Sequence, residues 1–149
     1  MNTIIPKLIN IFQININKII ITATDDTLNK GLKANELKMD FFHNTAFNFN
    51  KKNIRIRLII IIDAFDKQNN ECGIHFEYEF EFHLHIENLE EFIIKKKRQK
   101  QIDSYLGATL LGIVYSSARG IIFENSKNTL LNGVILPVIA PDELLKKTY

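Results

Sequence analysis

The first ninety residues contain several runs in which apolar and polar side chains alternate, the period-two pattern of half-buried β-strands. The clearest run is Gly73–Asn88, where the apolar side chains from Ile74 to Ile86 fall on one face and histidines and glutamates on the other. Asn53–Phe65 precedes it, and the polar segment Asp66–Glu71 between the two is typical of a turn. These two strands are predicted to form an antiparallel hairpin with one solvated face.

Two further strands are predicted upstream, with a polar loop over Asp25–Glu36 between them. Ile11–Thr24 alternates until Lys18, where the phase slips, and a β-bulge at that point would explain the slip. Leu37–Asn50 alternates more weakly, and we expect this strand to break around His43. The strands together predict a four-stranded antiparallel sheet.

A long helix is predicted over Ile102–Lys127 and has almost no polar face, since Arg119 is the only charged residue between Leu106 and Phe123. A helix that is apolar all round needs cover on several sides, more than one sheet in a chain of 149 residues supplies. Small residues recur every four positions along one side of this helix and would let a second helix approach closely. We expect this small-residue strip to form an oligomer interface: Ala108, Gly112, Ser116 and Gly120.

An extended apolar segment, Val134–Ile139, follows the helix, and Pro137 excludes it from a central strand. A short helix is then predicted over Asp142–Lys147, because its acidic start and basic end suit the helix dipole. The elements add up to a single α+β domain spanning residues 1–149. Its four-stranded sheet, with strands over about residues 11–88, packs on one long helix, and a short C-terminal helix completes it.

Composition narrows the classes of function. The net charge of +2 is nearly balanced and gives no support for a nucleic-acid partner. The basic run Lys95–Lys100 is predicted to be an exposed loop or helix start rather than a binding patch. A single cysteine, Cys72, is compatible with a reducing compartment. No signal-peptide pattern is present, and Arg119 and the serines beside it favour a buried helix over a membrane span. We expect a cytoplasmic protein.

Catalytic signatures are missing from the sequence: it has no phosphate-binding glycine loop, no nucleophile elbow and no HExxH motif. His83 and His85 have a spacing that could bind a metal, but a flat exposed strand does not bring such side chains together. Tyr115 and Arg119 lie one helical turn apart; we expect Tyr115 to pack, and Arg119 to lay its stem along apolar surface while its head caps or pairs at an interface. No catalytic residue, metal or cofactor is predicted.

The pattern leaves more apolar surface than one subunit can cover. Either oligomerisation covers all of it, or part of it forms a groove for other apolar chains. A rival interpretation is a small-molecule-binding or enzymatic α+β protein with a pocket between sheet and helix. That interpretation needs convergent polar groups inside the apolar face, and His75, His83 or His85 turned inward around a cavity would favour it.

The C-terminal third carries a family resemblance. Tyr115, Ala118 and Arg119 in the long helix, followed by Leu136–Val138 and Asp142–Leu144, resemble the SecB export chaperones and their SecB-like relatives. The resemblance implies a SecB-like subunit that assembles as a dimer of dimers. It also implies a non-enzymatic, ATP-independent holdase that binds unfolded or export-competent polypeptides in apolar grooves.

The resemblance further suggests where partners bind. An outward acidic face would be available for docking a partner such as the SecA motor, through Glu77, Glu79 and Glu81. The chain ends on Lys146–Tyr149 where proteobacterial SecB has an acidic tail that helps to engage SecA, so a chaperone devoted to one client such as an antitoxin is an alternative. The predicted polypeptide groove is lined by Leu130, Leu131, Ile135, Leu136, Val138 and Leu144.

Overall fold

A four-stranded antiparallel sheet is the base of the fold in the computed structural model, which describes residues 2–25, 36–129 and 132–148. The strand order across the sheet is β1-β4-β3-β2, so the first two strands form its opposite edges. The predicted four-stranded sheet is therefore confirmed. Its strands are β1 (Ile9–Ala23), β2 (Glu36–Asn48), β3 (Asn53–Phe65) and β4 (Glu71–Ile86).

Strands β3 and β4 form the predicted antiparallel hairpin. In its turn, the Asp66 side chain accepts hydrogen bonds from the backbone N–H groups of Gln68 and Asn70, at 2.8 and 2.9 Å. Arg57 lies opposite Glu81 and forms ion pairs with Glu81 and with Glu79, both on β4. Because opposed residues share a face, the apolar side chains of both strands point into one core.

Strand β1 contains two register shifts against β4, one between Ile11 and Gln13 and one between Ile16 and Lys18. The second shift is the bulge that the phase slip predicted, and it lies at Asn17. A bulge keeps apolar residues on one face although their spacing in the sequence changes from two to three. The apolar residues on both sides of this bulge thus face the same side of the sheet: Ile14, Ile16, Ile19 and Ile21.

Strand β2 is continuous, and the predicted break around His43 is wrong. The imidazole of His43 points inward, and the residue is only 4% exposed. Its backbone N–H donates to the carbonyl oxygen of Lys147 at 2.9 Å, and Thr148 forms a parallel bridge with it. The C-terminal segment therefore supports this edge strand at the point where the sequence pattern is weakest.

The basic run forms a two-stranded hairpin, which corrects the prediction of a loop or helix start. A 3-10 turn (Leu89–Phe92) leads into β5 (Ile93–Lys96) and β6 (Gln99–Ile102). The backbone N–H of Asp103 donates to the carbonyl oxygen of Phe92 at 2.8 Å and closes the base of this hairpin.

Helix α1 (Ser104–Ser126) is capped at its N-terminus by Asp103, whose side chain accepts a hydrogen bond from the Tyr105 N–H at 2.7 Å. By length and composition α1 could cross a membrane. Here it packs on the apolar face of the sheet, and a short helix α2 (Pro141–Leu145) follows the extended segment. The buried residues of α1 recur at helical spacing: Leu106, Leu110, Leu111, Val114, Tyr115, Ala118, Ile122 and Ser126.

Candidate functional site

Two side chains of α1 hold the extended segment that follows it. The Tyr115 hydroxyl donates to the carbonyl oxygen of Pro137 at 2.8 Å, and the Arg119 Nε–H donates to that of Leu136 at 3.0 Å. Burial raises the pKa of Tyr115 to about 12, an effect that the charge of Arg119 partly opposes, so the phenol remains a donor at neutral pH. The side chains of Tyr115 and Arg119, one helical turn apart, thus bind the backbone of their own chain. Within the subunit, Arg119 pairs with this backbone.

A second pair of contacts fixes the start of the segment. The Val134 N–H donates to the hydroxyl of buried Ser126 at 2.6 Å, and the Gly133 N–H donates to the carbonyl oxygen of Ser126 at 3.0 Å. Gly133 has a φ of +93°, and a Cβ there would lie 2.9 Å from the ring of Phe123. A glycine is required here because the chain turns back tightly onto the helix.

The predicted groove positions divide between surface and core. Ile135 and Val138 are 76% and 83% exposed, whereas Leu136 and Leu144 are buried within the subunit and contribute no open surface. The hydrogen bonds that hold the backbone of the segment determine which of its apolar side chains point outward. The remaining two predicted positions, Leu130 and Leu131, lie outside the described residues.

A groove of about 620 Å³ runs between α1 and the extended segment, and we call it the helix groove. Gly112 and Ser116 form its floor, while Val138 and Ile139 form the opposite wall. Few polar groups enter it, and those of Tyr115 and Arg119 are already bound to backbone carbonyls, as described above. The full lining is Thr109, Gly112, Ile113, Tyr115, Ser116, Arg119, Val138, Ile139 and Pro141.

The small-residue strip lies on the surface of the subunit. Its two central members line the helix groove, while Ala108 is half-buried and Gly120 is exposed. A Cβ on Gly120 would meet nothing within 4 Å in the described part of the chain. The strip is therefore open to a partner, and its predicted role in an oligomer interface stays a prediction.

A second concavity of about 280 Å³, the terminal pocket, lies between β2, the first turns of α1 and the C-terminal segment. His43 lies against it, and neither of its ring nitrogens has a hydrogen-bond partner among the residues that the structure describes. Burial lowers the pKa of His43, and nearby backbone groups of Leu145 and Leu144 oppose this only in part. The lining is His43, Thr45, Phe47, Ile56, Ile102, Asp103, Ser104, Gly107, Leu110, Leu111, Leu145 and Thr148.

A row of isoleucines on the inner face of β1 is left uncovered. Its members lie opposite the buried aromatic side chains of β4, yet each is between 42% and 45% exposed. The helix layer stops short of this edge strand. The row, which we call the β1 row, consists of Ile14, Ile16, Ile19 and Ile21.

The predicted docking glutamates lie on the outer face of the sheet, where each has a basic partner. Glu77 binds Lys18 at 2.6 Å, Glu79 pairs with Arg57 at 3.4 Å, and Glu81 lies 2.7 Å from His83. Hydrogen bonds from Lys18 and His83 lower the pKa values of the carboxyl groups of Glu77 and Glu81. The face is therefore a ladder of paired charges, and its role in docking stays a prediction.

The strand histidines also face outward. His75 Nδ1 lies 2.7 Å from an oxygen of Asp63, and His85 Nδ1 lies 2.9 Å from the Asn53 side-chain oxygen. Within residues 2–25, 36–129 and 132–148, no three His, Cys, Asp or Glu side chains form a potential metal site. The inward-turned histidines that an enzymatic pocket would need are not found at these strand positions.

Comparison with known proteins shows the fold. No protein-family model matches this chain, and no curated protein matches it in sequence. A solved structure of a SecB-like chaperone from Mycobacterium tuberculosis, in complex with a ChAD peptide from an antitoxin, superimposes with a TM-score of 0.60. The match covers 90% of this chain and 92% of that one at 9% identity. The chain therefore has the SecB-like fold that its C-terminal residues predicted.

A protein of unknown function from Streptococcus agalactiae is more distantly similar. It has a TM-score of 0.43 and 14% identity, over 87% of this chain and 96% of that one.

Proposed function

We propose that this chain is an ATP-independent holdase that binds unfolded polypeptides in apolar grooves and carries out no chemistry of its own. The observation that carries the proposal is the pair of exposed apolar side chains, Ile135 and Val138, on a backbone that is hydrogen-bonded to α1; Val138 also lines the helix groove. Fully covering one such side chain contributes roughly 1.5–3 kcal/mol. Because the backbone of this segment is already held in place, binding does not have to offset the entropy cost of ordering it.

The fold supports the same function. The similar chaperone from M. tuberculosis is bound to an antitoxin peptide in its solved structure. A fold of this kind can therefore accommodate a bound peptide. For the present chain the clients would be export-competent polypeptides in the cytoplasm or, in the dedicated variant, an antitoxin.

The helix groove suits an extended client. Its floor lacks large side chains at Gly112 and Ser116, so a client backbone can approach the helix closely. Apolar client side chains would then contact Val138 and Ile139. With few free polar groups in the groove, binding would depend on apolar burial rather than on one sequence, and several weak sites on an oligomer would add up along one client.

Self-association is part of the proposal. The β1 row is an apolar face on an edge strand, a surface that proteins normally cover. We infer that a second copy covers it, and that the Gly120 end of the small-residue strip, which lies outside the helix groove, contributes to a dimer of dimers. If SecA docks on Glu77, Glu79 and Glu81, it has to compete with the basic side chains of this chain that already bind these glutamates.

The proposal is tested by diluting a chemically unfolded client into buffer with and without this chain and following light scattering. Equimolar chain should delay aggregation without ATP, and the Ile135→Asp/Val138→Asp double variant should lose most of this effect. Ile5→Asp/Leu37→Asp, which changes two exposed apolar residues away from the grooves, is the control and should protect normally. No delay with the unmodified chain, or equal protection by the groove variant, would refute the proposal.

A further inference from the structure

The β5–β6 hairpin carries a high density of positive charge. Five of the six residues from 95 to 100 are lysine or arginine, and all six are exposed. No ion pair joins these side chains to a carboxylate in the part of the chain that the structure describes. This differs from the outer face of the sheet, where cations and carboxylates are matched.

The hairpin keeps this charge at a local cost. Lys95 lies directly opposite Lys100, and like charges in that position destabilise an antiparallel pair. Lys97 and Arg98 have φ values of 49° and 65°, in the left-handed region that favours glycine and asparagine. The hairpin thus places like charges opposite each other and puts two residues in an unfavourable backbone conformation, and no carboxylate in the described part of the chain compensates for either. This combination indicates a surface adapted to bind an anionic partner.

Contacts connect the hairpin to the terminal pocket. The Lys100 ammonium lies 6.0 Å from the ring centroid of Phe49, which stacks on Phe47 at 5.6 Å. Phe47 lines the terminal pocket, and so does Ile102, the last residue of the hairpin. An apolar pocket, an aromatic pair and a group of cations therefore follow one another along a continuous surface.

We propose that the hairpin is a basic rim that selects, among apolar polypeptide segments, those with aspartate or glutamate beside the apolar anchor. One apolar client side chain occupies the terminal pocket, the client backbone passes Phe47 and Phe49, and its carboxylates meet Lys95 and Lys100. This inference rests on the proposed function, since it specifies the class of client that the holdase prefers.

The surroundings favour a carboxylate-bearing peptide over a nucleic acid or a lipid surface. Nucleic-acid binding depends on many phosphate contacts along a basic track. Here the basic residues are concentrated in one narrow hairpin, five of them between positions 95 and 100. Such a hairpin is too short to follow an extended polyanion, whereas a short peptide needs only the hairpin and the apolar pocket beside it.

The inference is tested by the affinity of fluorescently labelled peptides for the full chain. The peptides share an apolar core and differ in its flanking residues, which are aspartate, serine or lysine. We expect the aspartate peptide to bind about threefold to tenfold more tightly than the serine peptide, because exposed charge pairs are individually weak. The lysine peptide should bind most weakly, and added salt should remove these differences.

Substitutions assign the effect to the hairpin. Lys95→Gln/Lys100→Gln should abolish the preference for aspartate while binding of the serine peptide stays unchanged. Lys38→Gln/Lys67→Gln removes the same charge near the opposite end of the sheet and should keep the preference. Lys97→Asn/Arg98→Gly should also weaken the preference without unfolding the hairpin, since these residues suit its left-handed turn.

Each other outcome overturns the inference. Equal binding of the three peptides, with client aggregation still delayed, would refute the basic rim and leave the holdase intact. Absence of both peptide binding and aggregation delay would refute both. Tighter binding of a single-stranded RNA or of anionic vesicles than of the aspartate peptide would assign the hairpin to that partner instead.

Discussion

Two tyrosine hydroxyls lie in the interior of the protein in different surroundings. The Tyr115 hydroxyl donates to Pro137, whereas that of Tyr78 has no hydrogen-bond partner in the described residues. Losing a hydrogen bond of this kind costs about 1 kcal/mol, and removing an unpaired buried hydroxyl costs nothing or stabilises. We therefore predict that Tyr115→Phe lowers the free energy of unfolding by about 1 kcal/mol, and that Tyr78→Phe leaves it equal or higher.

Urea unfolding of the two variants measures this difference. Tyr115→Phe should also lose protection of client from aggregation, since the wall of the helix groove depends on that bond, and Tyr78→Phe should not. Equal stability of the two variants would contradict the role given to Tyr115.

His75 on the outer face gives a prediction about pH. A hydrogen bond to Asp63, with a smaller contribution from Glu77, raises the pKa of His75 above 6.5, while partial burial opposes the rise. A raised pKa in the folded state stabilises the protein fully below the unfolded-state pKa, and this contribution is lost as pH rises through the folded-state value. The contribution of His75 to stability should therefore be larger in acid than in base.

The matching measurement compares the unmodified chain with His75→Gln by urea unfolding at about pH 5.5 and about pH 8. The variant should be less stable than the unmodified chain at the lower pH and nearly equal to it at the higher. A difference independent of pH would contradict the assignment. Using the difference between the two chains removes the opposite effect of His43, whose pKa burial lowers.

Strand β1 is the element whose inner face the subunit leaves open. If a second copy covers the β1 row, Ile16→Lys should place a charge in that interface and reduce the mass in solution. Light scattering of the variant and of the unmodified chain measures the mass. An unchanged mass would exclude the β1 row from the assembly, and Phe12→Lys, on the outer face beside His83, is the control that should not change it.

Helix α1 allows the same test of the small-residue strip. Gly120→Leu adds a side chain where the described subunit has no neighbour, so it should disturb only an interface between copies. Gly112 is less suitable, because a Cβ there would already contact Pro141 at 3.5 Å. Light scattering that shows the same mass for Gly120→Leu would remove this end of the strip from the interface.

Among the elements, the sequence predicted the strands in which apolar and polar residues alternate regularly. The alternation in β3 and β4 predicted both strands and their antiparallel pairing, and the phase slip in β1 located its bulge. The β5–β6 hairpin was missed because its strands, IIKK and QKQI, are only four residues long, too short for an alternating pattern to be recognised. The continuity of β2 was missed because His43 is supported by Lys147, a partner far along the chain.

The candidate site could be predicted only in part. An apolar stretch after the helix was evident, but which of its residues face outward depends on the backbone hydrogen bonds to Tyr115 and Arg119. Those bonds bury Leu136 and leave Ile135 and Val138 exposed. The terminal pocket involves β2, α1 and the C-terminal segment, so no local pattern in the sequence could reveal it.

For the whole molecule, the central claim is that unfolded polypeptide binds in the apolar grooves around α1. Isoleucine methyl NMR during titration with an unfolded client tests this most directly, because isoleucines occur in the groove and elsewhere. We predict chemical-shift changes at Ile113, Ile135 and Ile139, and none at Ile59 and Ile61 on the outer face of the sheet. Shifts confined to the outer face, or none at concentrations that suppress client aggregation, would contradict it.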